Sequence, residues 1–199
     1  KSLMSIAVPM VGEKLLHIME NYENLAMIGF RIIEKATGKV LPRFLGLPRS
    51  WPIVWFSLEK EDVKLLQRAT ALSARILFAA GAKKVFTAVA RFEEFESEKD
   101  LDEFERAQIS PADLELSAFH VQGTAQMGVS AKSSVVDPQG KVWGLNNLFV
   151  ADASIMPSTP VSNPQMSIMA FSVHVASAIL SNCGIKLDER KLSGLTSNI

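Results

Sequence analysis

Apolar residues recur at every third or fourth position between residues 59 and 80, which is the clearest hydrophobic pattern in the chain. This spacing predicts an amphipathic helix over residues 59–80, and Gly81 is suited to ending it in a left-handed conformation. A second long helix is predicted over residues 164–180, because the segment is apolar and Pro164 suits the first helical position. These are the two longest elements that the pattern predicts.

Shorter apolar runs predict strands. Residues 25–33 form a strand candidate, and the turn residues that follow them suggest a hairpin with residues 40–41. Residues 53–58 and 85–89 are typical of short strands, and the first of these is expected to be buried. Residues 148–151 form a continuous apolar run of the kind used for a strand that is buried on both faces.

Two further segments combine charged or turn residues with apolar ones. Residues 91–106 predict a surface helix whose apolar side is formed by Phe92, Phe95 and Phe104. Residues 137–140 have strong turn chemistry between two apolar segments, so they predict a hairpin. Glycine and turn residues become frequent in the C-terminal part of the chain, after Pro111.

Composition and charge exclude several classes of function. The 199 residues suffice for one large or two small domains. With 21 basic and 21 acidic residues, the chain has no electrostatic footprint for nucleic acid or anionic lipid. The single cysteine excludes an intrachain disulfide and a cysteine-rich metal site, which fits a reducing compartment. No apolar run reaches the roughly 18 residues that a membrane span needs.

Of the three histidines, His120 is the candidate for chemistry. His17 and His174 lie in predicted helices, where a packing or surface role is the simpler interpretation. His120 precedes Gly123 on a predicted loop, and loops held by a scaffold carry many catalytic residues. Imidazole is the usual general base near neutral pH, so this position suits proton transfer.

Two other segments are candidates for binding. Asp152 ends an apolar run, and two interpretations remain open: it forms a turn, or it lies at the carboxyl end of a parallel strand and accepts from a ribose hydroxyl. Asn163 and Pro164 are predicted as the N-cap and the first residue of the last helix. Free N–H groups and a partial positive charge at that helix start would stabilise an electron-rich ring.

The order of these motifs resembles the C-terminal signature of the glucose-methanol-choline (GMC) oxidoreductases. The resemblance covers about residues 117–181, and within the family the chain is most similar to long-chain alcohol oxidases. The residues that carry it are His120, Gly123, Thr124, Met127 and Gly128, then Asp137, Gly140 and Gly144, then Asp152, Ala153, Ser154 and Pro157, and last Asn163 and Pro164.

The resemblance implies FAD as cofactor, a small-molecule alcohol as substrate, and no metal ion. His120 would be the base beside the flavin, and Asn163, at a position where some members carry histidine, would be the second catalytic residue. The implied cofactor-binding residues are Asp152, Ala153, Asn163, Pro164 and Gln165. The last three would lie along the pyrimidine edge of the isoalloxazine ring.

The resemblance also implies a fold class between α+β and α/β. Residues 1–117 would form part of an antiparallel-sheet substrate-binding domain with helices. Residues 118–199 would supply the returning strand and helix of an FAD-binding domain. Among the eleven glycines no two are two positions apart, so the Gly-x-Gly-x-x-Gly fingerprint is absent from the sequence. We therefore interpret the chain as a fragment that lacks the N-terminal FAD-binding half and is inactive in isolation.

A non-catalytic hypothesis competes with this one. The chain would then serve as a binding or assembly module, or as a split subunit that needs a partner carrying the nucleotide-binding half. A second open question concerns the substrate: the aromatic residues Phe30, Trp51, Trp55 and Phe56 suggest an apolar alcohol, although core packing is the simpler interpretation of them. Neither question is settled by the residues alone.

Overall fold

The computed structural model describes residues 8, 10–41, 52–160 and 162–185. The chain divides into two compact units, Lys1–Ser117 and Ala118–Ile199. Their assignment as substrate-binding and FAD-binding parts stays a prediction. Trp51, one of the aromatic residues considered for an apolar substrate, lies outside the described residues.

The first unit begins with helix α1 (Gly12–Glu20) and a 3-10 turn (Tyr22–Asn24). The strand predicted over residues 25–33, and the hairpin built on it, are wrong, because residues 25–38 have no regular secondary structure. At the end of this segment the backbone hydrogen-bonds to a side chain and not to another strand. The backbone N–H groups of Lys35 and Ala36 donate to the Asp62 carboxylate at 2.8 and 3.0 Å.

The first two strands form a short hairpin of their own. Strand β1 (Lys39–Leu41) pairs antiparallel with β2 (Ile53–Trp55), and Val40 lies opposite Val54. The prediction of a buried strand at residues 53–58 is wrong in length and in burial, since Val54 and Trp55 are 65% and 70% exposed. Among the described residues the sheet has two strands, and much of their apolar surface is exposed.

The first long helix is confirmed as α2 (Lys60–Ala79). It begins with a capping box in which the Asp62 carboxylate accepts from the backbone N–H of Glu59 at 3.1 Å. Asp62 is fully buried, and three backbone N–H groups in total hydrogen-bond to it. Gly81 follows the helix with φ +96°, which confirms the left-handed ending.

A second antiparallel pair and a helix complete the first unit. Strand β3 (Val85–Phe86) is shorter than predicted and pairs with β4 (Glu94–Phe95), and α3 (Glu98–Arg106) follows. Phe95 lies on β4 and not on the predicted helix, but it is buried together with Phe104, as an apolar side requires. The core of this unit consists of Ala71, Ala74, Val85, Val89, Phe95, Leu101 and Phe104.

The second unit contains a tight turn and little regular structure before its helix. The predicted turn at residues 137–140 is confirmed: the Asp137 N–H donates to the Lys141 carbonyl at 2.8 Å, and Gly140 has φ +79°. The buried strand predicted over residues 148–151 is wrong, because Phe149 makes only a one-residue bridge, to Lys141. A strand needs a ladder of consecutive partners, and among the described residues this single bridge is not extended into one.

The second long helix is confirmed as α4 (Gln165–Asn182). Pro164 precedes the assigned helix instead of opening it, although its backbone already has helical angles and its carbonyl accepts from Ile168 at 2.8 Å. The small core of this unit is made by Val136, Ile155 and Val175. Among the described residues, no helix has the length and apolar character needed to cross a membrane.

Candidate active site

His120 lies on an irregular segment of the second unit and is exposed. Three residues later Gly123 has φ +82°, a left-handed conformation that favours glycine. The N–H of Gly123 donates to the carbonyl of Ala153 at 3.2 Å. The loop that carries His120 is therefore attached to the segment that follows Asp152.

The attachment extends over three hydrogen bonds. The backbone N–H groups of Gly123, Ala125 and Met127 donate at 3.2, 2.9 and 2.8 Å to consecutive carbonyls, those of the 3-10 turn Ala153–Ile155. These bonds join irregular segments without a strand ladder, so the sequence pattern did not reveal them. They bring two of the three predicted site segments together.

Asp152 forms the turn that the simpler interpretation predicted. Its side chain caps the 3-10 turn, because Oδ1 accepts from the Ser154 N–H at 2.8 Å. Hydrogen bonds from the Ser154 side chain and then from its backbone lower the pKa of Asp152, against a smaller opposing effect of burial. The exposed carboxylate is thus held in its charged form, and its contact with a ribose hydroxyl stays a prediction.

Ala153 and the start of α4 hold the remaining predicted residues. The Ala153 carbonyl accepts from Gly123, so this part of its backbone serves the protein frame. At the helix start Pro164 is buried, while Asn163 and Gln165 are exposed. The helix start at Pro164 has no hydrogen bond from the Pro164 side chain. The pairing of His120 with Asn163 at one ligand stays a prediction.

One buried polar atom in the His120 loop has no hydrogen-bond partner among the described residues. It is the Oε1 of Gln122, two positions after His120. Together with the Asp152 carboxylate and the helix start, this atom gives the unit the acceptors and donors that a ribose and a flavin ring use. The donor set therefore fits FAD in part, whereas the sequence contains no glycine-rich cradle for the pyrophosphate.

Sequence reasoning missed Ser172, which holds two site segments together, and Gln122, which lies beside His120. The Ser172 hydroxyl of α4 donates to the carbonyl of Ala151, next to Asp152, at 2.5 Å. The Nε2 of His174 lies 2.8 Å from the Pro138 carbonyl, so this histidine has a structural contact. A polar residue inside an apolar helix was the signal that could have singled out Ser172. Gln122, whose only sequence signal is its place between His120 and Gly123, was missed as well.

The possible metal ligands and the surface cavities were compared with the predicted site in the part of the chain that the structure describes. No group of three or more His, Cys, Asp or Glu residues is arranged there to hold a metal ion. Two surface cavities lie in the first unit, of about 360 and 600 Å³, and both are lined largely by charged residues around Phe92. None of the predicted site residues lines either cavity.

Comparison with known proteins identifies the class of protein. The family model described as GMC oxidoreductase, for the C-terminal domain, matches residues 48–172. An uncharacterized GMC-type oxidoreductase of Sinorhizobium fredii is 33% identical over 174 residues, which cover 84% of this chain and 34% of that protein. Another, of Mycobacterium tuberculosis, is 33% identical over 172 residues, covering 86% and 26%.

A third relative has a named activity. A long-chain-alcohol oxidase of Arabidopsis thaliana is 28% identical over 125 residues, which cover 59% of this chain and 17% of that protein. Because the family model matches more than half of the chain, the chain belongs to the GMC oxidoreductases. The chain spans 34% and 26% of the length of the first two relatives.

Proposed function

We propose that the chain forms the C-terminal catalytic part of an FAD-dependent oxidoreductase that oxidises a primary or secondary alcohol. The observation that supports this best is the bonding of residues 123–127 to the Ala153–Ile155 turn. This bonding aligns the loop that carries His120 with the segment that carries Asp152. A general base and a cofactor-binding acid then share one backbone frame.

His120 acts as the general base in this proposal. Its imidazole accepts the hydroxyl proton of the alcohol while the adjacent carbon loses hydride. The side chain is exposed, so a small alcohol can approach it. The hydrogen bond from Gly123 to Ala153 limits the movement of the loop and so the position of the ring.

Asn163 acts with the start of α4. Its carboxamide holds the alcohol oxygen in line with His120, while the N–H groups that follow Pro164 face the electron-rich edge of the cofactor. A helix start carries a partial positive charge, which stabilises negative charge placed there. Pro164 lies directly before these N–H groups and already has helical backbone angles.

FAD, when bound, supplies the hydride acceptor. Asp152 accepts a hydrogen bond from a ribose hydroxyl, and its lowered pKa keeps it a carboxylate for that purpose. In this proposal, residues outside these 199 supply the pyrophosphate cradle, because the sequence lacks the fingerprint and spans only part of its relatives. The alcohol itself is proposed to be apolar, as for the long-chain-alcohol oxidase relative.

The proposal is tested by replacing the base. In a longer polypeptide that joins this chain to a nucleotide-binding part, His120→Ala should slow alcohol-driven flavin reduction by about 10²–10⁴-fold, the usual contribution of a general base. Loss of flavin absorbance after anaerobic mixing with alcohol measures this rate directly. The matched control is His17→Ala, which removes an exposed imidazole from α1 and should leave the rate unchanged.

Two outcomes would contradict the proposal. A His120→Ala variant that reduces flavin as fast as the unsubstituted protein would exclude His120 as the base. Tight stoichiometric flavin binding by the 199-residue chain alone would contradict the need for a separate nucleotide-binding part. The second result would be read from a flavin titration followed by fluorescence, with the free cofactor as reference.

The competing function, a binding or assembly module, has one observation in its favour. The exposed residues of α4 include Met166, Met169 and Val173, a set of apolar side chains that a partner could cover. A longer polypeptide that binds flavin but oxidises no alcohol would favour this second function over the first.

A further inference from the structure

The rotation of α4 about its own axis is not specified by its hydrophobic pattern. The helix contains no Asp, Glu, Lys or Arg. Apolar side chains cover both of its sides: Phe171, Val175 and Ile179 pack in the core, while Met166 and Val173 are 75% and 55% exposed. An amphipathic helix buries its apolar stripe, but here another rotation would bury an equally apolar one.

Ser172 breaks this ambiguity. Its hydroxyl lies 2.5 Å from the Ala151 carbonyl and 2.8 Å from the Ile168 carbonyl one turn back in the helix. Two other serines of α4 have the second bond without the first: Ser177 donates to Val173 at 2.9 Å, and Ser181 donates to Ser177 at 3.0 Å. Among the described hydrogen bonds, only Ser172 therefore ties a serine hydroxyl of α4 to another segment.

The segment that Ser172 contacts is the one that carries Asp152. Ala151 directly precedes Asp152, and the Ala153–Ile155 turn that follows accepts the three N–H groups of residues 123–127. One hydroxyl thus connects α4 to the backbone that supports the His120 loop. The contact of His174 with Pro138 lies two positions further along the helix and is a second link between α4 and another segment.

The consequence reaches the start of the helix. Successive residues of an α-helix are about 100° apart around the axis, so a rotation by one residue would turn the first helical residues by that angle and displace Asn163, two positions before them. We propose that Ser172 is a positioning residue that fixes the rotation of α4 against the Asp152 segment and so directs Asn163 and the first helical N–H groups. The link to FAD and alcohol rests on the proposed function.

The first test uses the 199-residue chain and needs no cofactor. Hydrogen exchange is compared between Ser172→Ala and the matched control Ser177→Ala, which loses a hydroxyl with the same bond inside the helix. In Ser172→Ala, the amides of Gly123 and Ala125 should exchange about fivefold faster, as expected for the loss of one hydrogen bond. In Ser177→Ala they should exchange as in the unsubstituted chain.

A second pair of variants keeps the test decisive if Ser172→Ala does not fold. Ser172→Thr retains the hydroxyl, and Ser172→Val introduces a side chain of the same shape as threonine but without the hydroxyl. The threonine variant should keep the slow exchange of the Gly123 and Ala125 amides, and the valine variant should lose it. Equal exchange in the two variants, or in the two alanine variants, would overturn the proposal.

The second test follows the cofactor in the longer polypeptide. The flavin midpoint potential should fall in Ser172→Ala and stay constant in Ser177→Ala, because a misdirected helix start stabilises reduced flavin less well. An unchanged potential in a variant whose exchange has changed would overturn the positioning role. An unsubstituted polypeptide that binds no flavin would contradict the proposed function instead, while the exchange comparison still decides the role of Ser172.

Discussion

Each of the two units of the chain is stabilised internally, and the interactions that do so differ between them. In the first, helices α2 and α3 and strands β3 and β4 surround a core with two fully buried aromatic rings, Phe95 and Phe104. In the second, three buried aliphatic residues form the core, and irregular segments are joined by backbone hydrogen bonds and glycine turns. Side-chain burial dominates the first unit, and backbone geometry dominates the second.

The difference matters because the predicted catalytic residues all lie in the second unit. Loops held by backbone hydrogen bonds can present His120, Asp152 and Asn163 outward without burying them. A large apolar core would stabilise the same loops more strongly, but it would also cover such polar groups or require partners for them. The arrangement therefore leaves the predicted site residues accessible, and the following substitutions test each unit in turn.

The largest expected effect is in the core of the first unit. Phe104 is fully buried, and its ring centroid lies 5.2 Å from that of Phe92 and 5.3 Å from that of Phe95. Phe104→Ala should lower the free energy of unfolding of this unit by about 3–5 kcal/mol, because transfer and cavity costs add. Denaturant unfolding followed by tryptophan fluorescence and circular dichroism measures the change.

A surface residue of the same unit provides the control. Leu72 on α2 is 58% exposed, so Leu72→Ala should change the free energy of unfolding by about 0.5 kcal/mol or less. If the two substitutions had similar effects, side-chain burial would not be what distinguishes the first unit.

The second expected effect lies at Gly140 in the second unit. A Cβ at this position would lie 2.5 Å from Val175 Cγ2 and 2.9 Å from the Val150 carbonyl oxygen, and φ is +79°. Gly140→Ala should therefore cost about 1–2 kcal/mol for the left-handed backbone and about 1–3 kcal/mol more for crowding against α4. Thermal and denaturant unfolding of the chain measure the sum.

Gly144 separates these two costs. Its φ is +78°, but a Cβ there would meet nothing within 4 Å. Gly144→Ala should show the backbone cost alone, so the difference between the two variants should be about 1–3 kcal/mol. Equal losses would mean that the packing of the turn against Val175 contributes nothing.

The smallest expected effect is the pH dependence that comes from Asp152. The pKa of this carboxyl is lowered in the folded chain by the Ser154 side chain and then by its backbone N–H. Its contribution to stability is therefore complete above the unfolded pKa of about 3.9 and is lost as the pH falls through the folded value. Because the group is exposed, we expect less than about 1 kcal/mol.

Asp152→Asn is the variant that reveals this contribution. The difference in unfolding free energy between it and the unsubstituted chain should be present at neutral pH and should shrink below about pH 4. Ser154→Ala, which removes the hydroxyl bond to Asp152, should reduce the same pH dependence. A difference that grew toward acid pH would show that folding stabilises the Asp152 carboxylate less well than the unfolded chain does, and so raises its pKa instead of lowering it.

The sequence predicted helices better than strands, and the reason is local. The spacing of apolar residues, the acidic residues at the start and Gly81 at the end all lie within or beside α2 itself. A strand depends on a partner elsewhere in the chain. The apolar runs at residues 25–33 and 148–151 looked like strands, but the first has no strand partner and the second has only the bridge to Lys141.

The family was predictable from the sequence, but the contacts that support the predicted site residues were not. The order of His120, Asp152 and Asn163 identified the family, which the comparisons confirm. Ser172, in contrast, is one serine among several in an apolar helix, and only the position of the Ala151 carbonyl gives it a role. Contacts between distant, irregular backbone segments leave no periodic signal in a sequence.

The measurement that tests the central claim most directly is a crystal structure of this chain joined to a nucleotide-binding part, with flavin and an alcohol analogue bound. The account predicts that His120 and Asn163 both lie within about 3 Å of the analogue's oxygen atom, with the start of α4 facing the flavin. The account would be contradicted by a structure in which the two side chains contact different molecules or face away from the flavin.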